Sequence, residues 1–140
     1  MKNKRIVALT VAVFAIVALS ACATKPPADQ FGLGPRMSTQ NRYTATLEPS
    51  GPLKPRRMMT LHVSIRDAAG NPVDGAQIKV DGGMPQHGHG LPTQPRVTKS
   101  LGDGRYEIEG LRFNMGGWWV LELAVQASAG SDRVTFNLQV

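Results

Sequence analysis

Apolar and polar residues alternate along most of the C-terminal two thirds of the chain. From Met59 the odd positions Met59, Leu61, Val63 and Ile65 are apolar, while Thr60, His62, Ser64 and Arg66 are polar. A period of two belongs to an extended chain with one buried face, because successive side chains of a strand point to opposite sides. The same period recurs in Tyr43, Ala45 and Leu47, in Ala76, Ile78 and Val80, and in Tyr106 and Ile108, with Leu111 beyond them also read as facing in. It returns in Trp119, Leu121, Leu123 and Val125, and closes the chain in Val134, Phe136, Leu138 and Val140. Ala69-Gly70-Asn71-Pro72 and Gly102-Asp103-Gly104 supply turns between the runs. No segment after the N-terminal apolar run carries a convincing helical repeat. Residues 43–140, about a hundred, suffice for one domain with one core. Short strands separated by turns predict an all-β domain, an immunoglobulin-like two-sheet β-sandwich of about seven strands. The cysteine pair of antibody domains is missing from it.

Residues 22–42 contrast with this. Pro26, Pro27, Gly32, Gly34 and Pro35 stand among polar residues without periodicity, which predicts a flexible linker. Before it, a basic tip (Lys2, Lys4, Arg5) precedes a 14-residue apolar run from Ile6 to Leu19. A spanning helix needs about 20 apolar residues. The segment 1–21 therefore reads as a helical export signal and not as a membrane span.

Leu19-Ser20-Ala21-Cys22 resembles the lipobox of bacterial lipoprotein signals. The resemblance implies a diacylglyceryl group on the Cys22 thiol, cleavage before Cys22 and acylation, typically with palmitate, of the new amino end. Several acyl chains give stable anchoring to a lipid bilayer where one would be marginal. Ala23 stands where many inner-membrane lipoproteins carry Asp, which implies the outer membrane, with the domain facing the periplasm.

Loss of the signal changes the charge. The whole chain has 16 basic and 10 acidic residues; without Lys2, Lys4 and Arg5 there remain 13 basic and 10 acidic, a net of +3. A modest positive charge without interleaved aromatics gives no footing for nucleic-acid binding. The dense basic cluster Lys54-Pro55-Arg56-Arg57 reads as a solvated loop before a strand, with a lipid-phosphate contact as the functional alternative.

A second resemblance concerns the domain itself. Asp67 to Ala76 is similar to the first hairpin of many bacterial immunoglobulin-like modules. The run Gly83-Met84-Pro85-Gln86-His87-Gly88-His89-Gly90-Leu91-Pro92, with Gly102 to Tyr106 and Gly117 to Leu123, resembles the YtkA-like family over about residues 58–128. That resemblance implies a small exported or membrane-tethered domain, in some cases near metal-handling systems, with no established reaction.

The distinctive chemistry lies in the same run. His87 and His89, two apart, project to one side of an extended chain, and Gly88 and Gly90 leave room around the imidazoles. Imidazole together with thioether sulfur favours copper, with Met84 and more distantly Met115 as sulfur donors. Zinc is short of ligands here, since no cysteine lies inside the domain. Two other roles stay open: a crossing loop whose imidazoles satisfy backbone groups, and a contact surface for an envelope protein such as a transporter or assembly complex. Of the neighbours Trp118 and Trp119, the strand period places Trp119 in the core and Trp118 outside, where it would serve a partner contact. No serine or cysteine nucleophile, phosphate loop or acid–base carboxylate pair stands out, which predicts a binding module without catalysis.

Overall fold

The computed structural model describes residues 23–140, so the signal segment and Cys22 lie outside the described residues. The strands are β1 (Arg36–Met37), β2 (Tyr43–Pro49), β3 (Met58–Asp67), β4 (Gln77–Met84), β5 (His89–Gly90), β6 (Arg96–Gly102), β7 (Arg105–Arg112), β8 (Trp118–Ala127) and β9 (Gly130–Gln139). A single 3-10 turn, Ala28–Gln30, precedes them, and there is no α-helix among the described residues. The all-β class expected from the alternation is what the chain adopts.

The arrangement differs from two separate sheets of about seven strands. All nine strands belong to one antiparallel sheet in the order β1-β2-β3-β7-β6-β4-β8-β9, with β5 paired to β4. β6 and β4 meet at one residue pair, Lys79 opposite Arg96, so a narrow seam joins two well-paired halves. The far edges also approach each other: Gly32 N–H donates to Asn137 O at 3.0 Å and Thr39 N–H to Arg133 O at 2.9 Å. The sheet is thus nearly closed. Closure covers strand edges that would otherwise present unpaired backbone groups.

The core is the inward set of the alternation. Tyr43, Ala45 and Leu47 of β2 face Leu61, Val63 and Ile65 of β3, Tyr106, Ile108 and Leu111 of β7, and the buried rows of β8 and β9. Trp119 is fully buried against Phe113, ring centroids 5.1 Å apart and tilted by 59°, and its indole N–H donates to Met115 O at 3.0 Å. β4 follows the pattern less strictly, because Ile78 and Val80 are only half-buried.

At one corner the turn β6–β7 is locked to the loop after β3. Tyr106 Oη donates to Val73 O at 2.5 Å and accepts from Ala76 N–H at 2.9 Å. Gly104 N–H donates to the Asp74 carboxylate at 2.8 Å, and Gly104 O accepts from Ile65 N–H at 2.8 Å. The buried backbone groups of an irregular loop are thereby paired, as burial demands.

The described part of the segment expected to be a flexible linker is largely built into the domain. Leu33 packs on the core and its carbonyl accepts from Leu47 N–H at 2.7 Å; β1 pairs with β2; Ser38 is buried. Nearer its start, Lys25 Nζ donates to Gln139 Oε1 at 2.9 Å and sits over the Phe31 ring. Proline and glycine here shape a strap along β9 and β2, because a chain without alternation can still satisfy its backbone against an existing edge.

Asp132 fastens that strap. Its carboxylate accepts from Gln40 N–H at 3.0 and 3.1 Å, from Arg42 N–H at 3.3 Å and from Arg133 N–H at 2.8 Å. Burial pushes its pKa up, but the Ser38 hydroxyl and these three N–H groups outweigh it and hold the carboxyl below its ordinary 3.8. A carboxylate with a depressed folded pKa contributes stability above its unfolded pKa and loses it as pH falls through the folded value. Asp132→Asn is therefore expected to melt at lower temperature than the parent at pH 7, with the gap shrinking below about pH 4. A gap independent of pH from 7 to 2, read by thermal melts, would rule out the charged carboxylate as the fastener.

Candidate functional site

The histidine-bearing run is a hairpin between β4 and β5. Met84 lies opposite His89 and Gly83 opposite Gly90, and His87 N–H donates to Met84 O at 3.0 Å to close the turn Met84–His87. Pro85 restricts the first turn residue, and Gly88 takes the left-handed φ of +63° that brings the chain back. Gly82 and Gly83 are required by close approach. A Cβ on Gly82 would lie 2.2 Å from Val120 O, and one on Gly83 2.2 Å from His89 O. Two glycines in succession therefore let β8 and β5 press against the end of β4 and hold the hairpin in place.

His87 and His89 are both exposed, with ring centroids 6.0 Å apart and planes at 66°. Neither imidazole makes a hydrogen bond among the described residues. An open depression beside His89 is lined by Asp81, Met84, Val120 and Glu122. Asp81 and Glu122 are cross-strand partners, so two carboxylates share this face; Arg133 compensates Glu122 at 3.2 Å. The third histidine, His62, is elsewhere, on β3 at 3.4 Å from Glu107 Oε2. Lys99 at 2.7 Å and His62 both hold the Glu107 carboxyl below its ordinary range, against the opposing effect of burial.

The sulfur donors are placed differently from the imidazoles. Met84 is 2% exposed and belongs to the core, its terminal methyl against Gly117. Its buried side chain sits at the base of the hairpin, across the strands from His89. Met115 is 39% exposed on the loop β7–β8, where its carbonyl receives the Trp119 indole. Among the described residues no three of His, Cys, Asp and Glu converge on a common point.

Trp118 departs from expectation. It is 6% exposed, and its indole N–H donates to Asn137 Oδ1 at 2.9 Å, while Asn137 in turn reaches Gln30 O at 3.4 Å. Alternation does put Trp118 on the opposite face from Trp119. The strap along β9, which no apolar period announces, helps remove that face from solvent, and with it the premise for a partner contact at Trp118.

Comparison with known proteins places this arrangement in context. A family model described as YtkA-like matches residues 37–124. The match begins within β1, inside the segment read as linker, and ends before β9. Among solved structures the chain is similar to one titled "ZirS C-terminal Domain", at 11% identity and a TM-score of 0.42, covering 94% of each chain. No curated protein matches the chain.

Proposed function

The chain belongs to the YtkA-like family, and on that footing we propose that it is a non-catalytic binding module of the bacterial cell envelope, anchored through acylated Cys22, that takes up copper on His87 and His89. The carrying observation is the pair of exposed imidazoles, 6.0 Å apart and free of hydrogen bonds among the described residues. A metal held by two ring nitrogens at about 2 Å each requires a centroid separation of this order. Imidazole ligands suit copper, and the Asp81 and Glu122 carboxylates lining the depression beside His89 favour the approach of a cation.

The proposed ligand set leaves out Met84, because its side chain is buried while both imidazoles are exposed. The site consists of two histidines on a hairpin with open coordination positions, an arrangement suited to handing an ion on to another protein or to a small chelator. The outer membrane, with the domain in the periplasm, is the address that the Cys22-Ala23 sequence supports.

Titration calorimetry with Cu(I) and with Cu(II) tests this directly. The parent is expected to bind one ion, and the His87→Ala, His89→Ala double variant to lose at least about 100-fold in affinity, beyond what outer-shell changes typically cost. Met84→Leu is expected to leave the affinity unchanged. Equal binding by parent and double variant, or binding by neither, would refute the copper role.

A further inference from the structure

The antiparallel registers bring particular loops to each end of the domain. Loops 50–57, 85–88 and 113–117 lie at one end with the chain terminus: Arg56 N–H donates to Phe113 O at 2.6 Å, Gly117 and Val140 exchange backbone hydrogen bonds, and Met84 reaches Gly117. Lys25 also joins this end through Gln139. The other end carries the loops between β3 and β4 and between β6 and β7, closed by Arg42 and Tyr43 against residues 129 and 130.

Charge differs between these ends. The first has Lys54, Arg56 and Arg57, all exposed, and half-buried Arg112, opposite the 61% exposed Met58. None of the four basic side chains is in an ion pair among the described residues. Loops 50–57, 85–88 and 113–117 contain no Asp or Glu. The other end mixes both signs: Asp67, Asp74 and Asp103 stand there with Arg42, Arg66 and Arg105, and Arg66 faces Asp103 at 3.5 Å. An exposed thioether among unpaired cations is amphiphilic in the sense that suits a headgroup layer.

We propose that the end bearing Lys54, Arg56, Arg57 and Arg112 rests on an anionic phospholipid surface, with Met58 at the headgroup boundary; this rests on the reading of Cys22 as the acylated anchor. The exit point of the chain favours this end. Backbone pairing holds residues 31–42 against the sheet and Lys25 reaches back to Gln139, so the chain runs towards Cys22 from the basic end. Nine residues separate Cys22 from Phe31, at most about 32 Å when extended, which lets the basic end come within the Debye length of about 8–10 Å of the lipid phosphates. Each basic side chain near an anionic surface strengthens association about fivefold. The three in the loop together strengthen association up to roughly a hundredfold, whereas Arg66 at the other end is compensated by Asp103. The same orientation turns the histidine hairpin towards the membrane.

The test uses the full processed chain purified from membranes, with acylation read from the mass of the Cys22 peptide. The protein is reconstituted into vesicles of phosphatidylcholine alone or with phosphatidylglycerol, and amide hydrogen exchange is followed. Exchange at Lys54, Arg56 and Arg57 and in residues 113–117 is expected to slow at least about fivefold in the anionic vesicles only, and the protection to vanish in 0.5 M salt and in a Lys54→Gln, Arg56→Gln, Arg57→Gln variant. An unchanged thermal melt shows that the variant folds. Equal exchange in both vesicle types, protection around 67–76, or protection seen only in native membranes, which would mean a protein partner, each overturns the proposal. If the Cys22 peptide carries no lipid, the anchor reading fails by itself; co-sedimentation of that chain with anionic against zwitterionic vesicles then decides the fate of the basic surface, which fails if the two are equal.

Discussion

Trp119→Ala is expected to destabilise the domain by about 3–5 kcal/mol, a large share of the 5–15 kcal/mol that holds a typical domain folded. The side chain is fully buried, tilted against Phe113 at 5.1 Å, and tied to Met115 O by its indole N–H. Truncation removes the apolar burial, leaves a cavity the surrounding strands fill only in part, and frees the loop 113–117 that the indole holds. Trp119→Phe keeps most of the burial and loses the donor, so about 1 kcal/mol is expected. Urea unfolding followed by circular dichroism ranks the two. A loss under 1 kcal/mol for the alanine variant would mean that the core is centred elsewhere.

Gly104→Ala is expected to cost at least about 3 kcal/mol, through two separate effects. The residue has φ +67°, a left-handed conformation that costs a side-chain-bearing residue about 1–2 kcal/mol. In addition, a Cβ there would lie 2.4 Å from Ile65 O and 2.8 Å from Val73 N, both backbone atoms held by the Tyr106 corner. Gly102 separates the two. Its φ is +76° but no atom lies within 4 Å of a Cβ at that position, so Gly102→Ala should show the conformational cost alone. Equal losses for the two variants in the same unfolding experiment would show that close approach at Gly104 contributes nothing.

These two positions illustrate what a sequence reveals. Trp119 was readable as core because it stands in phase with Leu121, Leu123 and Val125, and phase on a strand is a local property. Gly104 was readable as a turn residue but not as a contact, since its neighbours Ile65 and Val73 are more than thirty residues away. Strand β6 escaped notice for a related reason. Arg96–Gly102 has no buried side chain, only half-buried Val97, so its place comes from the backbone of β7 and not from an apolar face.

The candidate site shows the same division. His87 and His89 stood out by type and spacing, and their exposure on a hairpin agrees with that spacing. Met84, two positions before Gln86 in the same run, looked equally available; only the fold shows that its side chain turns inward to Gly117. Trp118 followed the strand period to the outer face and is nevertheless covered, near a strap whose own sequence has no period to read.

By itself the sequence determined the all-β class, the inward rows of six strands, the turns between β3 and β4 and between β6 and β7, and the histidine pair, because each depends on residues within a few positions of one another. The tertiary structure alone decided that nine strands join one nearly closed sheet, that residues 31–42 strap its edges, that Met84 and Trp118 are withdrawn from solvent, and that the basic loop shares an end with Lys25. Each of these is a pairing of backbone or side chains far apart in the chain. The free energy of such pairings lies in closing edges and filling the core together, which no local pattern records.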